Sequence, residues 1–446
     1  MRGLFRNHSR GALAIALAAG LAVSGFGLSA VPAEAKAKGG NSKEFVAAAG
    51  PLQKKLQELA ALKEKGDAGD AAAKAQVLAQ AKTLVPEADK ALAAATTDQD
   101  KMIGGQYAVT LGGMADDLAL RKRGVQAMLA SGQLKPEQIP TFQFYLGNFA
   151  YATGDYTTAA TALSAAAAAG AQDEQLVPLL VESYSKAGKP QEGLAAARQA
   201  MNAVKTAGKP IPVGWINRSM VVAFNAKAGP QAIEFANLLV QEHPSNFNWL
   251  SSAQMVRTFG GLDPQATLDL FRLMDRSGAL DNDPKFVGGE FKEYIEVADP
   301  RRLPGEVVRV VDKGYGSGAL SKSDQWVSDA RSNAAGRIAA DKASLGSQVA
   351  GAKSAASGKV AQSLADAFLN YGDVAQAEGL YQSAIGKTGA EKDVVLTRLG
   401  IAQYDQGKYA EAAQSFAQVA GPRQSVAKLW LIKLGQVNKA TPVLAK

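Results

Sequence analysis

Apolar residues recur along nearly the whole chain at the three- and four-residue spacing of amphipathic helices. No segment keeps the two-residue alternation of a half-buried strand. Lys43–Lys65, Asp70–Lys82 and Asp98–Ala130 are rich in Ala, Leu and charge and are separated by Gly or Pro breaks, which predicts a helical N-terminal region. Within it Asp117 and Arg121, spaced i,i+4, read as a solvated surface pair. Ser323–Ala350 places Trp326, Ala330, Ala334 and Ile338 on one stripe and predicts a single long helix. Elsewhere glycines punctuate the pattern at regular distances. Tyr404–Phe416, "YDQGKYAEAAQSF", halts one helical run at Gly407 and lines the next with alanine.

Stepping back 35 residues from Gly407 reaches Gly372, in "LADAFLNYGDVAQAEGLYQSA" (Leu364–Ala384). Leu364 and Leu399 lie eight before the two glycines, Ala377 and Ala412 five after, and Tyr381 and Phe416 nine after. Gly154 and Gly188, 34 apart, sit in the same frame, with Leu146 and Leu180 eight before and Ala159 and Gly193 five after. Four segments therefore share one helix–turn–helix template. The order large–small in the first helix, glycine at the turn and small residues in the second resembles the tetratricopeptide repeat family. Leu146-Gly147, Gly154, Tyr156, Ala159, Leu163 and Ala166 follow that order, as do Leu399-Gly400, Gly407, Tyr409, Ala412, Phe416 and Val419. Weaker units occupy Trp215–Pro244, Trp249–Met274 and Tyr294–Gly314, each with a shifted or missing turn glycine.

The expected fold is all-α, and the resemblance implies a right-handed α-solenoid of such hairpins with helical caps at both ends. The organisation read from the chain is a leader over 1–35, an N-terminal helical cap over 36–140, and repeats over 141–320 that degenerate after 205. A long interrupting helix over 321–358, two further repeats over 359–420 and a basic C-terminal capping helix over 421–446 follow. A hairpin cannot bury its apolar face alone, so stacking neighbours complete the core. The resemblance further implies a concave groove lined by positions of each first helix. Counted from the turn glycines, these are Asn148 and Tyr151, Glu182 and Lys186, Asp366 and Asn370, and Tyr404 and Asp405. Their mix of Tyr, Asn and both charges suits an extended peptide or a partner helix. Relatives that grip a terminal carboxylate use Lys and Asn. Asn148 matches one such position, but Phe144 stands where the first lysine belongs, so that ligand is not implied.

Composition narrows the chemistry. Arg2, Arg6 and Arg10 precede an apolar run, Gly11–Gly27, and "AEA" at Ala33–Ala35 completes the pattern of a secretory leader cleaved after Ala35. The expected location is a Gram-negative periplasm. There is no cysteine, so no disulfide is possible. Removing the leader lowers the formal net charge from +8 to +6, and five of those charges are Arg423, Lys428, Lys433, Lys439 and Lys446, with no acid after Glu411. The rest of the chain is close to neutral, which argues against nucleic acid as partner and leaves a peripheral envelope contact through the tail.

His243 is the one histidine outside the leader. Zinc sites built on Cys and His and thiol nucleophiles are thereby excluded, and no metal, cofactor or catalytic residue is expected. "GKT" at Gly386–Thr388 lacks the glycine five residues earlier, Tyr381 standing there, and "GYGSG" at Gly314–Gly318 follows a helical run rather than a strand. The reading that results is an exported, non-catalytic scaffold that binds a protein or peptide partner. Two alternatives stay open: a glycan-cleaving enzyme with paired carboxylates, and an anion-binding envelope protein acting through its basic tail.

Overall fold

The computed structural model describes residues 40–440, with side chains to Val437. The leader, its cleavage point after Ala35, the side chain of Lys439 and residue Lys446 lie outside the described residues. Among the described residues there are 21 α-helices and no strand, so the protein is all-α. The chain divides into two compact units between Ala226 and Lys227. That division falls inside the stretch 141–320 and cuts Trp215–Pro244 in two, because its helices belong to different units.

The N-terminal unit begins with α1 (Lys43–Asp67), α2 (Ala71–Thr83) and α3 (Val85–Ala93), which gather around α4 (Asp98–Ala115). Phe45, Leu52, Leu56, Ile103, Tyr107 and Leu111 form their shared core. Asp100, fully buried, accepts the backbone amides of Thr97 (3.0 Å) and of Ser42 (3.0 Å), and so ties the start of α1 to the start of α4. Asp98–Ala130 is not one helix. Asp116 adopts φ 54°, and Asp117 accepts the amide of Leu120 at 2.8 Å, so the pair ends α4 and caps α5 (Leu118–Ala130). Arg121 is therefore not paired with Asp117; its guanidinium lies 4.4 Å from the centre of the Phe149 ring.

Three pairs follow: α5 beside α6 (Ile139–Ala152), which forms a hairpin with α7 (Tyr156–Ala168), and α8 (Leu176–Lys186) with α9 (Pro190–Thr206). The unit closes with α10 (Val213–Asn225) against α8 and α9. Helix α10 enters the turn through Lys227, at φ 53°, in the place that Gly154 takes after α6.

The C-terminal unit comprises α11 (Gly229–Glu242), α12 (Asn246–Phe259), α13 (Pro264–Ser277), α14 (Pro284–Ala298), α15 (Pro304–Gly316) and the long α16 (Gln325–Ser354). The hairpins α17 (Gly358–Asn370) with α18 (Val374–Ala384) and α19 (Lys392–Asp405) with α20 (Tyr409–Ala417) come next, then a short 3-10 turn, Gly421–Arg423, and α21 (Gln424–Ala440). The buried seam of α16 runs through Val327, Ala334, Leu345 and Ala352. Trp326 lies off it and is 47 % exposed, because the seam drifts one position from the stripe that the sequence pattern favours.

The repeat template accounts for the small residues of the last hairpin. Gly407 has φ 75°, a left-handed conformation that other residues enter at a cost of about 1–2 kcal/mol. A Cβ placed on Gly400 would sit 2.8 Å from the Phe416 ring, so that glycine sets how closely α19 and α20 approach. Ala412 is wholly buried in the same hairpin. Ala412→Leu is expected to overpack it and lower the stability of the C-terminal unit by about 1–3 kcal/mol. An unchanged urea midpoint would mean that the register of this hairpin is wrong.

Helix α21 keeps Gln424, Lys428 and Gly435 exposed to solvent. It packs against α20 and reaches back to α11 and α13, where the Gln436 amide donates to the carbonyl of Val240 at 2.6 Å. Helix α13 is buried continuously from Ala266 to Met274, so the rest of the unit surrounds it.

Candidate partner-binding surface

The eight groove positions separate into two groups. In the N-terminal unit, Asn148 and Tyr151 lie on α6 and Glu182 and Lys186 on α8. The Tyr151 ring meets Tyr156 edge-on at 5.6 Å, and the Lys186 ammonium stands 5.3 Å from the centre of the Tyr156 ring. Burial pushes the Tyr151 hydroxyl above its ordinary pKa, with nearby Arg218 opposing the rise. Glu182 forms an ion pair with Arg218 on α10. Burial also pulls Arg218 below its ordinary pKa, with Tyr151 opposing.

A rule of spacing underlies this pairing. Glu182 lies six before its left-handed turn residue, Gly188, and Arg218 nine before its own, Lys227. In the C-terminal unit Asp366 lies six before Gly372 and Arg398 nine before Gly407, and these two also pair, at 2.7 Å. An acid in one first helix thus meets an arginine in the next. Asn148 occupies the acid's place on α6, but Leu179 stands in the arginine's place on α8. The Asn148 Oδ1 is accordingly buried with no hydrogen-bond partner, and so is the Arg218 Nε. An unpaired buried polar atom costs on the order of 1–3 kcal/mol. The first helices of this unit therefore carry one unmet acceptor and one unmet donor beside an aromatic pair. Arg218 was missed in the sequence because its turn residue is a lysine; counting from Lys227 would have found it. Ser164, Leu180, Tyr184 and a run of alanines line a separate groove of about 550 Å³ between α7 and α9, which contains none of the groove positions.

Of the other four positions, Asn370 is buried inside the C-terminal unit, Asp366 and Tyr404 are half-buried, and Asp405 is exposed but ion-paired. Asn370 is 1 % exposed, and its Oδ1 accepts the amide of Glu306 at 2.7 Å. Asp366 accepts the Tyr381 hydroxyl at 2.6 Å as well as Arg398. Asp405 takes both arms of Arg276 at 2.6 Å, and the Tyr404 ring meets Trp430 at 5.1 Å. Behind them lies a network of buried charge. Asp269, fully buried, receives Arg272 at 2.9 Å, Arg398 at 3.2 Å and Arg423 at 2.5 Å, while Arg272 also grips Glu306 with two bonds of 2.8 and 2.6 Å. Each charge needs its partner, because an uncompensated ion in this setting costs several kcal/mol. No composition argument marks this network, since its charged members, Asp366 included, come from four helices and the 3-10 turn.

The basic face expected of the C-terminal helix is absent among the described residues. Arg423 is turned inward onto Asp269, and Lys433 is half-buried, with burial pulling its ammonium below the ordinary range, which leaves only Lys428 exposed.

No family model matches the chain, and no curated protein matches it. Among solved structures it is similar to human IFIT1, determined as a dimer with PPP-AAAA, at 11% identity over 84% of this chain and 88% of that one, with a TM-score of 0.21. It is also similar to yeast Tom70, at 14% identity over 87% of this chain and 98% of that one, with a TM-score of 0.18. Likenesses at these TM-scores carry no weight for fold or function, which rest on the geometry above.

Proposed function

We propose that the protein is an exported, non-catalytic scaffold whose N-terminal unit holds an extended peptide segment of a partner across α6, α8 and α10. What supports this is an unmet acceptor, Asn148 Oδ1 on α6, and an unmet donor, Arg218 Nε on α10, on the two first helices that precede and follow α8 in the chain. A peptide backbone supplies the complementary donor and acceptor in every residue. Tyr151 and Tyr156 add apolar area beside them, and Glu182 and Lys186 set charge preference at the edge. Export rests on the leader pattern of residues 1–35.

The test is selection of a random peptide library on the full mature chain and on Asn148→Ala/Tyr151→Ala. Peptides enriched by the wild type should bind the double variant at least about tenfold more weakly, the loss of about 1.4 kcal/mol that one hydrogen bond and one aromatic contact amount to. Equal binding by both proteins, or no enrichment at all, would rule the surface out.

A further inference from the structure

The C-terminal unit carries an open cleft of about 610 Å³ that contains no member of the buried charge network. Its walls are α11 and the start of α21, and the end of α12 adds Phe259 and Gly260. Both walls are fixed away from the cleft. Further along the two helices, the Gln436 amide donates to the carbonyl of Val240 at 2.6 Å. The turn leading into α21 is held by Arg423, which points into the core and donates to Asp269 at 2.5 Å. A Cβ on Gly260 would lie 3.1 Å from the Ser425 hydroxyl, so α12 already meets α21 closely.

The polar groups of the cleft are sorted by wall. On α11, Glu234 and Asn237 are three residues apart and share a face. The Asn237 Oδ1 is buried with no hydrogen-bond partner, an acceptor that the fold leaves unmet at a cost in free energy. On α21, Gln424 and Lys428 are four residues apart and likewise share a face. Both are exposed, and among the described residues neither side chain has a hydrogen bond or an ion pair. Glu234 and Lys428 are the only charged residues lining the cleft, one of each sign on facing walls, and they do not pair across it.

That arrangement decides what fits. An anion would face the Glu234 carboxylate, a cation would face the Lys428 ammonium, and an uncharged ligand would leave both ions unmatched. A molecule with an ammonium at one end and a carboxylate at the other answers both walls. Its ammonium donates to Glu234 and to the unmet Asn237 Oδ1, and its carboxylate accepts from Lys428 and the Gln424 amide. Ile233 and Phe259 offer apolar surface to the rest of it. The volume lies within the range of about 300–1,000 Å³ usual for small-molecule sites.

We infer that the cleft between α11 and α21 is a binding site for a small apolar zwitterion, the chemistry shared by a free amino acid and a dipeptide. It is separate from the surface on α6, α8 and α10, and does not depend on it.

Calorimetric titration of the full mature chain with L-leucine and with L-leucyl-L-leucine, each to about 10 mM, tests the site and tells the two sources apart. At least one of them should bind. The tighter of the two, remade as its methyl ester or with its amine acetylated, should bind at least about tenfold more weakly, the loss of one charge-assisted contact. In Lys428→Met, a change at an exposed position, the parent compound should weaken at least about tenfold while the ester is unaffected, because Lys428 acts only on the carboxylate. Glu234→Gln should do the same for the parent compound and its acetylated form. Absence of binding by both zwitterions would overturn the inference, and binding of maltose in their place would assign the cleft to an uncharged polyol. Equal binding of parent and ester to the wild type, or equal weakening of both in Lys428→Met, would overturn it too.

Discussion

Asp269→Asn is expected to destabilise the C-terminal unit by about 3–5 kcal/mol, the cost of removing one member of a buried charge network. The substitution keeps the shape of the side chain and withdraws the one charge that three arginines share. Arg272 retains Glu306 and Arg398 retains Asp366, but Arg423 is left with only the exposed Asp263 at 3.5 Å. Native-state hydrogen exchange read separately on α13 and on α4 gives the measurement, since a two-unit chain need not unfold in one step. The loss should appear in α13 and leave α4 unchanged. A change of less than 1 kcal/mol in α13 would show that the network contributes nothing net to stability.

The same variant has a pH signature. Burial alone would raise the Asp269 carboxyl, but Arg398, Arg272 and Arg423 outweigh it and hold it below its ordinary 3.8. Burial would likewise raise Glu306, and Arg272 draws it down to about 2. A carboxyl whose folded pKa is depressed stabilises the fold above its unfolded pKa, and loses that contribution as pH falls through the folded value. The wild-type C-terminal unit should therefore hold its stability at pH 5 and lose it steeply between about pH 4 and pH 2. In Asp269→Asn the fall over that window should be shallower, because one of the two carboxylates no longer titrates.

The helices and the strongest hairpins were legible because their causes are local. Gly154, Gly188, Gly372 and Gly407 all adopt the left-handed turn that their spacing implied. The Asp116-Asp117 break was legible in principle, as paired N-cap residues, but the continuous apolar spacing on both sides masks it. What the sequence hides is where non-local partners meet. Asp366, Asn370, Tyr404 and Asp405 occupy the same template positions as Asn148, Tyr151, Glu182 and Lys186, yet their partners Arg276, Glu306 and Trp430 come from α13, α15 and α21. Only the way the unit folds back on itself, bringing α21 to α11 and α13, separates an inner face that is filled from one left with unmet polar atoms. Arg423 shows the same limit: it adds to the tail's net charge in the sequence and lies 5 % exposed in the fold.

Trp215→Ala should have the largest effect on the N-terminal unit, about 3–5 kcal/mol, through the cavity left by a wholly buried indole. Trp215 is 1 % exposed at the start of α10, and its Nε1 donates to the carbonyl of Glu174 at 3.0 Å, which fixes α10 to the loop before α8. Trp215→Phe separates the two contributions: it keeps most of the apolar volume and removes the hydrogen bond, for a cost of about 1 kcal/mol. Exchange in α4 to α9 should report the first loss, and exchange in α13 should not. The consequence extends to binding, because α10 places Arg218 against Glu182 one turn after the tryptophan. A peptide selected on the wild type should therefore lose affinity for Trp215→Ala although Trp215 itself faces the core, and keep most of it for Trp215→Phe. If Trp215→Ala loosened α10 while peptide binding stayed at the wild-type level, Arg218 would not be part of the partner-binding surface.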